Sequence, residues 1–71
     1  MTATLDSLFA LIEERGWRPS LADHTRPGLG YAHWSCILVN GDLVVAHVFA
    51  ESALAAVTQA IRQAERATGG R

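Results

Sequence analysis

Three histidines, His24, His33 and His47, and one cysteine, Cys36, are the side chains of this 71-residue chain best suited to metal binding or proton transfer. Imidazole and thiolate are the usual zinc ligands, but no pair among the four stands at ligand spacing, so neither a metal nor a cofactor is expected. The candidate nucleophiles are Ser7, Ser20, Ser35, Ser52 and Cys36. None lies in a glycine-flanked elbow, and Cys36 has no activating neighbour. Glu13 and Glu14 are adjacent on a helix and point in different directions, which suits a solvated face and not paired acid and base work. No glycine-rich phosphate loop follows a strand. The chain reads as a protein without catalytic activity.

What remains is recognition. Aromatic and arginine side chains anchor protein interfaces, and Trp17, Arg18, Arg26 and Tyr31, with His24 and His33 between and beside them, are the expected partner-binding residues. Their alternative role is packing at the core edge, the usual fate of aromatics in small domains. All six basic residues are Arg, set against seven acidic ones for a net charge of −1, and no stretch concentrates one sign. Binding to a nucleic acid backbone needs a basic footprint that this chain lacks.

An apolar fraction of 49% with 18% charged residues places the chain among folded proteins, and its length allows one domain, residues 1–71. A lone cysteine makes no internal disulfide and fits a reducing interior, so a cytoplasmic location is expected. No apolar run approaches the roughly 18 residues of a membrane span, and the first residues carry Asp6 and no basic segment, so neither membrane insertion nor a signal peptide is expected.

The elements that must position these residues follow from periodicity. Leu5, Leu8, Phe9 and Ile12 recur at helical spacing behind a Thr4 cap, with Gly16 as a left-handed stop, predicting a helix over Leu5–Arg15. Residues 17–22 alternate weakly, and Pro19 confines any strand there to a sheet edge. Asp23–Gly30 is polar and turn-rich, an exposed loop. Two β-type runs, Tyr31–Val39 and Asp42–Phe49, flank Asn40 and Gly41, a dipeptide suited to a two-residue type I′ hairpin turn. Leu54, Val57 and Ile61, with Ala53, Ala60 and Ala64 beside them, predict a second helix over Ala50–Thr68. The fold class is α+β, in the order α-β-β-β-α with a three-stranded antiparallel sheet.

With Asn40 and Gly41 as the turn, Val39 pairs with Asp42, Cys36 with Val45 and Trp34 with His47. One face then carries Trp34, Cys36, Leu38, Leu43, Val45, His47 and Phe49, the expected core. The other carries Tyr31, His33, Ser35, Ile37, Val39, Asp42, Val44, Ala46 and Val48, too apolar for a solvated surface. His33 and His47 fall on opposite faces. Either the helices divide between the two faces, or both cover one and the other meets a partner. A homodimer through Ile37, Val39, Val44 and Val48 is the expected solution.

The element order resembles the double-stranded-RNA-binding fold and the related HicA family of toxin ribonucleases. RNA-binding members of the first group place lysines where this chain has Ala50, Glu51, Ser52 and Ala53. HicA-type toxins carry a Gly and aromatic pair after the first helix, here Gly16 and Trp17, and a strand histidine, here His33 after Gly30, Tyr31 and Ala32; this resemblance implies a ribonuclease or nucleic-acid-binding role. The chain also resembles the short α/β sandwich proteins of bacteriophages and prophages, in its Gly16 and Trp17 pair, aromatic strand start and Ala-rich final helix. That resemblance implies an accessory protein that binds a protein partner, such as an anti-CRISPR-type inhibitor of a host defence complex.

Overall fold

The computed structural model describes residues 4–24 and 33–68, in the order α1 (Leu5–Glu14), β1 (Arg18–Asp23), β2 (Trp34–Asn40), β3 (Leu43–Ala50) and α2 (Ala53–Thr68). It is the anticipated α+β arrangement, with an antiparallel sheet in the order β1-β2-β3. Arg26, Tyr31 and most of the Asp23–Gly30 segment lie outside the described residues.

Local chemistry sets the boundaries of α1. Thr4 and Ser7 form a reciprocal capping box, in which Thr4 Oγ1 accepts from the Ser7 amide and Ser7 Oγ from the Thr4 amide. A cap of this kind contributes on the order of 1 kcal/mol. At the other end Gly16 takes φ +80°, its N–H donates to Glu13 O, and the Trp17 N–H donates to Ile12 O. Those two bonds satisfy carbonyls that the helix end leaves open, and a Cβ at residue 16 would oppose the left-handed backbone they need. The helix thus stops at Glu14, one residue before the expected end. α2 begins later than its composition suggests, because Ser52 supplies the cap: its Oγ accepts from the Ala55 amide and its carbonyl from the Ala56 amide.

Both helices lie on one face of the sheet. Ile12 of α1, Ala56, Val57, Ala60, Ile61 and Ala64 of α2, and Cys36, Leu38, Val45, Ala46 and Val48 of the sheet form a single buried cluster. Ile12, Cys36, Leu38 and Val57 are wholly out of contact with solvent, and each apolar side chain so buried stabilises the fold by roughly 1.5–3 kcal/mol. The four small alanines let α2 lie close on β2 and β3. Leu54, expected on the packed face of α2, is partly exposed, and Ala56 takes a core position instead. Arg15 ties the helices together through a 2.8 Å pair with Glu65; with both side chains 41% exposed it contributes at most about 1 kcal/mol.

The hairpin departs from the expected register in two steps. Asn40 pairs with Leu43, so the turn residues are Gly41 and Asp42. Gly41 has φ +63° and no other residue of the turn has positive φ, which excludes type I′ and matches the type II′ requirement for glycine at the first central position. Then a β-bulge between Leu38 and Val39 leaves Val45 as an extra residue, so that Leu38 pairs with Ala46, Cys36 with Val48 and Trp34 with Ala50. Past the bulge every side chain of β3 is on the face opposite to the one expected. Ala46, Val48 and Ala50 face the helices; His47 and Phe49 face away. Val48, expected on the second face, is therefore a core residue, 8% exposed.

Candidate interaction site on the helix-free sheet face

Registers on both sides of β2 define the rows of the face that neither helix covers. Arg18, Val39 and Val44 make one row; Ser20, Ile37 and His47 the next; Ala22, Ser35 and Phe49 the third. The ladder continues one step further, since the His24 N–H donates to His33 O at 2.7 Å and places that pair beside the third row. Six of the residues singled out from the sequence, Arg18, His24, His33, Ile37, Val39 and Val44, are thus brought onto one surface.

The bulge has a direct consequence for the histidines. His33 and His47, expected on opposite faces, flank the same ring: Phe49 stacks on His33 at 5.0 Å between centroids with 16° between planes, and meets His47 at 5.0 Å and 43°. His24 completes the group at 6.4 Å from Phe49 and 6.0 Å from His33. Beneath them Ser35, only 6% exposed, is hydrogen-bonded between its Oγ and His24 Nε2 at 2.9 Å. The burial of a hydroxyl at that depth is offset by this bond, which also fixes the His24 ring over the sheet.

Chemically the cluster can stack planar groups and exchange protons, and its flank can bury apolar surface. Val44 is 57% exposed and Phe49 52%, with Ile37 and Val39 half-buried between them. Among the described residues no group of three or more His, Cys, Asp or Glu side chains is arranged to hold a metal ion. Ser35 and His24 have the separation of a nucleophile and its base, but Ser35 is enclosed by the face and not presented by it. Cys36 points the other way, into the core, where burial raises its thiol pKa.

Trp17, expected as an exposed anchor, is a core residue at 5% exposure. The Schellman turn at Gly16 directs it inward under α1, and the Arg15 guanidinium covers its ring with Cζ 5.6 Å from the centroid. Phe49 and His47 are ring-bearing residues of this surface that the sequence did not mark as interaction residues. The available signal was the two-faced apolar character of β3, which allows either register.

The face turns a corner at the β3 edge. There the His47 N–H donates to Gln63 Oε1 of α2 at 2.8 Å, and a groove of about 280 Å³ runs between strand and helix, lined by His47, Val48, Gln59, Arg62, Gln63 and Arg66. No helix among the described residues is long and apolar enough to cross a membrane. Comparison with protein-family models, with curated proteins and with solved structures finds no match to this chain.

Proposed function

We propose that the protein is a non-catalytic interaction module of the cytoplasm that binds a protein partner through the helix-free sheet face. One observation carries this reading: Ile37, Val39, Val44 and Phe49 form a continuous apolar strip with more than half of Val44 and Phe49 in solvent. A strip of that kind on an ordered sheet, rimmed by Arg18 and three histidines, has the composition of an interface centre and rim. An accessory protein of this sort acts by occupying a surface and needs no reaction. A phage-encoded inhibitor of a host defence complex, the setting implied by the sequence resemblance, is one such protein. In its free form the same face pairs two copies, as the apolar second face suggests.

The test compares quantitative affinity capture by the unaltered protein with capture by Val44→Glu, and by Glu14→Gln on the distant helix α1. The expected result is a partner retained by the first and third and lost by the second. Equal recovery by all would remove the sheet face from the interaction. Sedimentation at micromolar concentration checks the homodimer separately, and a monomer there confines the proposal to the heterologous partner.

A second reading is favoured by the histidine cluster. His33, the residue matched to the HicA ribonucleases, shares the open face with His24 and His47, and two imidazoles near one substrate supply the base and the acid that RNA cleavage requires. Cleavage of single-stranded RNA at low salt, abolished by His33→Ala, would establish this reading over the first.

A further inference from the structure

The groove beside the β3 edge belongs to no role described so far. From it we infer that the protein holds a carboxylate group of an acidic partner segment between α2 and β3, with Arg62 and Arg66 as the cationic clamp. The inference rests on the interaction reading above and adds the chemistry of the partner.

Its charged groups are both cations, and its two glutamines can donate. Arg62 and Arg66 stand one turn apart on α2 and both line the groove, as do Gln59, Gln63 and His47. Gln63 has its Oε1 engaged by the His47 N–H, which leaves its amide nitrogen to donate. Among the described residues no carboxylate lines the groove, and the one acidic side chain of α2, Glu65, is committed to Arg15. Like charges four residues apart on a helix repel, and a bound anion turns that repulsion into attraction. Guanidinium groups are suited to the task, since each meets a carboxylate through parallel hydrogen bonds.

Size and charge select the ligand. About 280 Å³ is at the lower end for small-molecule sites, which suits a single side chain better than a nucleotide. Two arginines cannot follow a phosphate backbone. Of the other described arginines, Arg15 is paired with Glu65 and Arg18 lies on β1 at the far edge of the sheet. His47 joins the two surfaces, since it contacts Phe49 on the open face and lines the groove at the edge. A partner seated on the apolar strip therefore has its margin at Arg62 and Arg66, and an acidic residue at that margin meets both.

The experiment needs no knowledge of the partner. The 15N-labelled protein is titrated with a short capped oligo-glutamate peptide, its oligo-glutamine counterpart, inorganic phosphate and a single-stranded RNA oligonucleotide, reading the Arg62 and Arg66 Nε–Hε and the His47 and Gln63 amide signals. Saturable shifts with oligo-glutamate only, weakened at least about tenfold in Arg62→Gln/Arg66→Gln, are expected. Equal shifts with oligo-glutamine, no saturable shift, or binding of phosphate or RNA in preference to the peptide would overturn the inference. Val44→Glu leaves the peptide titration unchanged, so failure of the groove and failure of the sheet-face interaction are read apart.

Discussion

Replacing Phe49 by alanine tests whether the open face is surface or hidden core. Full burial of a phenylalanine side chain is worth roughly 1.5–3 kcal/mol, and Phe49 is 52% exposed, so about half of that, near 1 kcal/mol, is at stake. The stacked contact with His33 at 5.0 Å and the tilted one with His47 add about 0.5–1 kcal/mol. The expected loss is therefore about 1.5–2 kcal/mol, against roughly 3–5 kcal/mol for truncation of a fully buried phenylalanine. Urea unfolding followed by tryptophan fluorescence and far-UV circular dichroism, at concentrations where the chain is monomeric, measures it. Leu38→Ala in the same assay provides the core reference, with about 2–5 kcal/mol expected for a wholly buried residue. A Phe49→Ala loss of about 3–5 kcal/mol, the range of a fully buried phenylalanine, would show that the ring is enclosed in the single chain and would refute the surface assignment. A loss that grows with protein concentration would instead report the homodimer.

Further predictions concern the hairpin and the core. Gly41→Ala, at φ +63°, destabilises by about 1–2 kcal/mol through backbone conformation alone, since the space around residue 41 is open; a fall in Tm without loss of the folded spectrum checks it. Deleting Val45 removes the bulge while keeping Leu38 opposite Ala46, so the deletion variant folds with Phe49 still against His33, at a cost of about 1.5–3 kcal/mol for the lost valine. Disappearance of the nuclear Overhauser contacts between those rings would contradict the bulge. The Cys36 thiol stays unreactive toward thiol reagents at neutral pH until the chain unfolds. Its raised folded-state pKa gives a stability that is intact below the ordinary thiol pKa and declines as pH rises through the folded value, checked by denaturation midpoints across the alkaline range. Gln63→Ala speeds hydrogen exchange at the His47 amide with a stability loss near 1 kcal/mol.

Much of this molecule is legible in its sequence because local chemistry decides it. Thr4 and Gly16 bound α1, Pro19 assigns β1 to an edge, and the periodicity of Val57, Ala60, Ile61 and Ala64 gives the packed side of α2. The face of β2 is correct for the same reason, since Cys36 and Leu38 alternate with Ser35, Ile37 and Val39. β3 is different. The run Leu43 to Phe49 is apolar at both parities, so alternation cannot fix its pairing, and Asn40-Gly41 and Gly41-Asp42 are both acceptable turns. Moving the turn by one residue shifts the pairing by two and leaves the faces unchanged; the bulge at Val45 shifts it by one more and exchanges them. That single residue separates a molecule with His47 in its core from one with three histidines around an exposed ring. Burial of Trp17 escaped for a related reason, because the direction in which a Schellman turn sends the next side chain depends on what packs below it.

Both borders of the sheet are blunted. Pro19 brings no N–H to β1, and the side chain of Gln63 already occupies the amide at the middle of β3. Polymerisation strand by strand, the route by which sticky sheets grow into fibres, is obstructed at both ends, while Val44 and Phe49 on the helix-free face remain exposed. Growth of the sheet by edge-to-edge pairing is thereby opposed at both borders, so the exposure of Val44 and Phe49 on its open face does not bring with it a strand-pairing route to fibres.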